Sequence, residues 1–339
     1  MRSIPLLLVS FFFLFTLICS FNKSKQPNML TNATGKTVPM HRRDFLEMTG
    51  MGMIGASVIP SLFMQGCTGN NSTMELPKIA LQLYTLREEI KKDIAGTLKK
   101  VADTGFEDVE TAFWPEGVSV NQAAGFLRDA GLTVLSAHVE LPIGDKKDVF
   151  LETAAAYGCK KMIWHGWPED KRYSTTEGTK ELVAIYNEAN QFAKANGLQF
   201  GLHNHWWEYR NKVDGRFVYE ILLELLDKDI FFEIDTYWVK VAGHDPAVIV
   251  KKFGARAPLL HIKDGPAKWN DSLPEDNPDP MVAVGKGSQD FPAIAKAANG
   301  NTRWMIVEMD KTVTDVFEAI RESYDYLIKN KLAKGRKTV

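Results

Sequence analysis

The sequence predicts an α/β protein built as a closed (β/α)8 barrel, a TIM barrel, preceded by an export signal. Three observations predict it. From Lys78 onward, apolar runs of strand length alternate regularly with stretches of helical period. Glycines stand just before several of the strands, where helix C-caps belong. Eight such units over residues 78–332 match both the count and the length of a closed barrel. An open doubly wound sheet would want a glycine-rich first turn, and Leu81-Gln82-Leu83-Tyr84 has none.

Taken in order, strands are predicted at 78–85, 106–111, 132–139, 159–165, 198–205, 230–235, 257–263 and 302–308. Segments of helical period fill 87–103, 120–130, 146–157, 178–196, 216–227, 246–253, 290–299 and 312–330. Gly105, Gly131, Gly158 and Gly197 close the helices that precede strands two to five. The 264–289 connection is rich in Pro, Asp and Gly, and reads as a loop over the active face rather than a linker.

Residues 1–67 read as an export segment. An apolar run of signal-peptide length occupies 5–19, too short for a membrane span. A second signal follows, in which Met40-His41-Arg42-Arg43-Asp44-Phe45-Leu46 leads into an apolar stretch ending at Cys67. That pattern is of twin-arginine type with a lipoprotein-like cysteine. Two signals in series favour Met40 as the true start, with Cys67 as the one point of membrane attachment. Residues 68–77 read as a polar tether. The expectation is an exported protein, periplasmic or anchored by lipid. Of three cysteines only Cys159 belongs to the barrel, which therefore has no internal disulfide and no cysteine-rich metal site. A net charge of −1 argues against a nucleic-acid partner, and no phosphate-cradling glycine loop is present. Pairing into a homo-oligomer is compatible with the sequence.

Barrel enzymes place their chemistry at the C-terminal ends of the strands. Of seven histidines, five (His138, His165, His203, His205 and His261) fall at or near predicted strand ends. Glu110, Asp235 and Glu308 end the second, sixth and eighth strands. Any one of these would read best as a hydrogen-bonded core residue or a solvated carboxylate; together on one rim they read as a site. Mixed imidazole and carboxylate donors suit one divalent metal, Mn, Zn, Mg or Co, rather than a calcium cage. Such an ion polarises a sugar oxygen while a nearby base takes the adjacent carbon-bound proton. Trp114, Trp167, Trp206, Trp207, Trp238 and Trp269 all follow strand ends, where they would roof the site and meet the apolar faces of a carbohydrate.

These residues resemble the sugar phosphate isomerase/epimerase family, with its xylose-isomerase-like TIM barrel. The resemblance covers roughly 78–330. It is carried by Gly201-Leu202-His203-Asn204-His205-Trp206-Trp207-Glu208, Glu233-Ile234-Asp235-Thr236, His261-Ile262-Lys263-Asp264-Gly265 and Gly285-Lys286-Gly287-Ser288-Gln289-Asp290-Phe291, together with the Glu308 strand. It implies metal ligands ending strands five to eight, here His203, Asp235, His261 and Glu308. Related epimerases use glutamates on strands five and eight to exchange the substrate proton. Here His203 replaces the first of these, and a metal-bound neutral imidazole has no lone pair left to act as a base. The resemblance therefore points toward chemistry that removes a proton and expels a group. Dehydratases of keto-cyclitols share a His-rich fifth strand, and exported relatives act as lyases or hydratases on 3-keto-glycosides.

The roles that follow are expectations. His203, Asp235, His261 and Glu308 bind the metal, with His205 a substitute for His203. Glu308 is also placed among the catalytic groups, with Glu110, His138 and His165 as acid and base candidates on the opposite rim. Lys263, on the same side of its strand as His261, contacts a substrate oxygen. Trp114, Trp206, Trp207, Trp238, Trp269, His205 and Glu208 contact the carbohydrate, Glu208 alternatively orienting a ligand. Three functions stay open: a metal-dependent lyase or hydratase on unphosphorylated keto-sugars, an isomerase or epimerase on a free ketose, and a non-catalytic sugar-binding lipoprotein.

Overall fold

The computed structural model describes residues 29–31, 37–39, 75–271 and 279–336. The predicted export signals, including Cys19, Met40 and Cys67, lie outside these residues, as does the predicted tether up to residue 74. Met29–Thr31 and Thr37–Pro39 pair as a short antiparallel ladder.

Eight parallel strands close into one barrel. In chain order they are β1 (Lys78–Gln82), β2 (Asp108–Thr111), β3 (Thr133–Val139), β4 (Lys161–Trp164), β5 (Gln199–His203), β6 (Phe231–Asp235), β7 (Leu259–Ile262) and β8 (Trp304–Val307). β8 pairs with β1, Val307 opposite Leu81, which closes the ring. The outer helices are α1 (Ile94–Thr104), α2 (Val120–Asp129), α3 (Lys146–Tyr157), α4 (Thr176–Ala195), α5 (Val218–Leu225), α6 (Pro246–Phe253), α7 (Phe291–Ala298) and α8 (Val316–Lys329). Each predicted strand and helix is present. Side chains at helix starts satisfy the free N–H groups: Ser119 and Gln122 form a capping box on α2, and Asp245, Asp290 and Asp315 cap α6, α7 and α8. Gly158 closes α3 at φ 61, a left-handed turn that the missing Cβ makes easy.

Differences from the predicted spans are local and have visible causes. The first strand stops at Gln82, whose side chain accepts from Tyr84 N and turns the chain into a 3-10 helix, Leu83–Leu86. The 87–103 segment is two helices, because Asp93 is extended (φ −157) and caps Gly96. Residues 216–217 pair with Lys212–Val213 in a hairpin before α5 begins. A short helix, Thr236–Val241, follows β6 without a loop.

Inside the barrel an apolar floor supports a polar layer. The floor is Ala80, Leu135, Ile163, Phe231, Leu259 and Ile306. Gly201 admits the Phe231 ring, since a Cβ there would stand 2.3 Å from it. Above the floor, Gln82, Glu110, Ser136, His203, Glu233 and His261 are all buried. An eight-stranded barrel is just wide enough for side chains from facing strands to meet. The polar layer is therefore a single connected cluster. The 264–289 connection is pinned at its base by the buried Asp264, whose carboxylate accepts from the backbone N–H of Gly265, Gly285, Gly287 and Gln289.

Candidate active site and metal centre

Strand register sets the donors side by side. His203 lies opposite Glu233 across β5 and β6, and Asp235 opposite His261 across β6 and β7. Asp235 is both the last residue of β6 and the N-cap of the helix that follows. Its Oδ1 accepts from Tyr237 N (2.9 Å) and Trp238 N (3.0 Å), which aims Oδ2 into the barrel. One ligand atom from each of His203, Asp235, His261 and Glu308 lies within 4.8 Å of the others. Each of the four carries a buried nitrogen or oxygen with no hydrogen-bond partner: His203 Nδ1, Asp235 Oδ2, His261 Nδ1 and Glu308 Oε2. Orphaned donors of two chemical kinds, converging from four strands, suit a divalent cation. This cluster could hold a metal. A second group, His138, His203, Glu233 and His261, shares two of its members.

A layer of carboxylates supports the imidazoles from below. His261 Nε2 donates to Glu110 Oε1 at 2.7 Å, and Glu110 also accepts from Gln82 Nε2 and Ser136 Oγ, both at 2.6 Å. His138 Nε2 bonds Glu233 Oε2 at 2.7 Å and stands 3.2 Å from Glu110. Burial opposes charge on His138, yet Glu110 and Glu233 outweigh it and push its pKa up to about 10. Glu110 is held well below the usual carboxylate range: burial works against this, and His138 and His261 overcome it. Sequence reasoning placed Glu110 and His138 on an opposite rim. The structure corrects this, because side chains from β2 and β7 touch across the narrow interior; Glu110 is buried beneath the cluster and does not line the cavity.

Lys263 enters from above. Its Nζ donates to Asp310 Oδ2 at 2.8 Å. It also stands 2.9 Å from Asp235 Oδ2 and 2.8 Å from Glu308 Oε2, at angles that leave both oxygens without a hydrogen bond. Burial pulls against the ammonium, but Asp235, Asp310 and Glu308 together raise its pKa.

Over this floor opens a cavity of about 660 Å³, within the range of small-molecule sites. His138, His165, His203, His205, Trp238, Lys263 and Glu308 line it, joined by Tyr84, Arg87, Phe113, Trp167 and Asp310. His165 sits on the rim; its Nδ1 accepts from Trp167 N at 3.2 Å and its Nε2 faces Glu140 at 3.3 Å. Burial, with the charge of His138, lowers its pKa to about 4, so it is neutral at pH 7. His205 stacks on Trp207 at 4.3 Å, and burial, then the charge of Lys263, holds it neutral too.

The tryptophans divide. Trp238 and Trp167 line the cavity, whereas Trp114, Trp206, Trp207 and Trp269 do not. Trp114 Nε1 donates to Tyr157 Oη at 2.7 Å, Trp207 is fully buried behind His205, and Trp206 packs on Trp269, which carries the Arg210 guanidinium at 3.5 Å. These large rings fill space between the loops, where their area is best hidden from water. Glu208 is likewise away from the cavity wall; its Oε2 accepts from His205 N, and burial pushes its pKa up to about 8. It orients His205. Among described residues, none of 264–289 lines the cavity. Glu233 was not singled out from sequence, although its place two residues before Asp235 puts both on one face of β6. Asp310 and Phe113 lie in loops, Tyr84 in the 3-10 helix after β1 and Arg87 at the start of the helix that follows, all beyond the strand ends.

The profile of the xylose isomerase-like TIM barrel family matches residues 98–330. The chain belongs to that family. A sugar phosphate isomerase/epimerase from Parabacteroides distasonis superimposes with a TM-score of 0.63 at 28% identity, covering 76% of this chain and all of that one. An inosose dehydratase of Clostridium beijerinckii is 23% identical over 172 residues, 47% of this chain and 57% of that protein. The match thus spans little more than half of that relative. IolI, solved with a zinc atom bound, shares the barrel at a TM-score of 0.55 and 16% identity, covering 74% of this chain and 97% of that one.

Proposed function

We propose that this xylose isomerase-like barrel is a divalent-metal-dependent lyase or hydratase that takes a proton next to the carbonyl of an unphosphorylated keto-sugar, such as a 3-keto-glycoside. The observation that carries this reading is the quartet His203, Asp235, His261 and Glu308, each with a buried donor atom left unbonded beneath one cavity. The similarity to a named inosose dehydratase supports it, as does the imidazole of His203 on β5, which pairs poorly with a symmetrical two-carboxylate exchange.

A divalent ion held there supplies a Lewis acid for the oxygens of the sugar. Lys263 Nζ, fixed by three carboxylates, donates to a sugar oxygen. His205, braced by Trp207, takes the carbon-bound proton beside the ketone. His165 presents Nε2–H, because its Nδ1 is occupied by Trp167 N, and hydrogen-bonds the departing oxygen, which receives the proton that His205 took from carbon. On a 3-keto-glycoside the C2–H and C1–O bonds break, a C1–C2 double bond forms, and the aglycone leaves as its alcohol. Nothing is oxidised.

The test is incubation of purified protein with a 3-keto-glucoside and with plain ketoses in deuterated buffer, with and without Mn, Zn, Mg or Co. Metal-dependent release of aglycone is the expected result. Deuterium entering an intact sugar without release would replace this reading with isomerase or epimerase chemistry. Binding without either would leave a sugar-binding protein.

A further inference from the structure

Two large apolar side chains at the cavity stay uncovered. Phe113, after β2, is 57% exposed and Trp167, after β4, is 39% exposed, and both line the cavity wall. Their neighbours in the same loops are tied down, Trp114 by the Tyr157 hydroxyl and His165 by Glu140. Phe113 meets the edge of the His165 ring at 5.3 Å, and Trp167 meets His205 at 5.7 Å. The metal-type donors come from β5 to β8. The cavity therefore has a polar end and an aromatic end, with His165 and His205 between them.

The volume points the same way. Even at the ~30 Å³ that each molecule of liquid water takes, the twelve heavy atoms of a hexose fill roughly 360 of the cavity's about 660 Å³. Room remains for a second ring, on the side where aromatic faces are bare. We propose that Phe113 and Trp167 form a second-ring subsite. The substrate is then a glycoside whose aglycone presents a flat apolar face, either an aryl group or another sugar ring, rather than a free monosaccharide. The inference rests on the carbohydrate reading above, and it adds that specificity is set on the leaving-group side, beside His165.

Calorimetric titration of the full chain with methyl glucoside, phenyl glucoside and cellobiose tests this without turnover, since none carries the ketone. Phenyl glucoside, cellobiose or both should bind roughly tenfold tighter than methyl glucoside, on the scale of one aromatic contact; which of them does so identifies the second ring. Phe113→Ala with Trp167→Ala should abolish the difference while leaving the melting temperature unchanged, and Trp167→Phe should keep most of it. Equal affinity for all three, no detectable binding at millimolar concentration, or a preference that survives the double variant would overturn the subsite. Its failure is separable from that of the lyase reading. Second-ring preference without turnover of 3-keto-glycosides removes only the lyase, and turnover without preference removes only the subsite.

Discussion

His261 and Glu110, 151 residues apart in the chain, meet at 2.7 Å across the barrel interior. The bond fixes the imidazole with a proton on Nε2 and turns Nδ1 into the donor quartet, 2.6 Å from Glu308 Oε2. Partners of this kind orient a ligating histidine and raise its basicity, and losing one costs about 10–100-fold in metal affinity. Glu110→Gln keeps the shape and removes the charge. It should weaken divalent-metal binding by that factor, measured by competition titration against a chromophoric chelator. Unchanged affinity would show that His261 is not held for a metal.

Lys263 is the counter-ion of the site. Replacing it by Met leaves Asp235, Glu308 and Asp310 without their ammonium, and removing one partner of a buried charge network costs about 3–5 kcal/mol. In the presence of chelator, Lys263→Met should unfold at lower denaturant than the parent. Added divalent metal should then stabilise the variant more than the parent, because its charge offsets carboxylates that nothing else neutralises. A variant as stable as the parent in chelator would mean that the contacts at 2.8–2.9 Å contribute little.

How far the sequence reveals this site follows from where each residue lies. His203, Asp235, His261 and Glu308 sit at strand ends, where an apolar run breaks into a polar residue, and that break is visible in one dimension. The support beneath them is not. Glu110 looks like any strand-end carboxylate, and only barrel closure, bringing β2 to β7, reveals that it serves His261. The loop tryptophans mislead for the opposite reason. A ring following a strand can face the cavity, as Trp238 does, or fill the gap behind it, as Trp207 does, and sequence position is the same in both cases. The helix after β6 is hidden because Asp235 serves as strand end, cap and candidate ligand at once.

His165 and His205 should separate in a two-readout experiment. If His205 takes the carbon-bound proton, His205→Ala loses both deuterium exchange and aglycone release. If His165 Nε2–H stabilises the departing oxygen by a hydrogen bond, His165→Phe loses release but retains exchange at the carbon beside the ketone. General acid or base groups contribute about 10²–10⁴-fold, so either loss is large enough to resolve by mass spectrometry and product chromatography. Equal loss of both readouts in the two variants would remove the division of roles.

Glu208 should make stability depend on pH. Burial pushes the Glu208 pKa up to about 8, against an ordinary 4.5, so the folded protein holds this proton more tightly than the unfolded chain does. Below pH 4.5 both states are protonated and the group is neutral in each. Between 4.5 and 8 the unfolded chain releases the proton while the fold keeps it, and stability falls with rising pH by about 1.4 kcal/mol per unit. Above 8 the loss is complete. Glu208→Gln retains an oxygen to accept from His205 N and has no proton to lose. Thermal melts from pH 5 to 8.5 should therefore show the parent declining more steeply than Glu208→Gln, the gap widening toward pH 8 and then levelling. Parallel curves would place an ordinary carboxylate at this position.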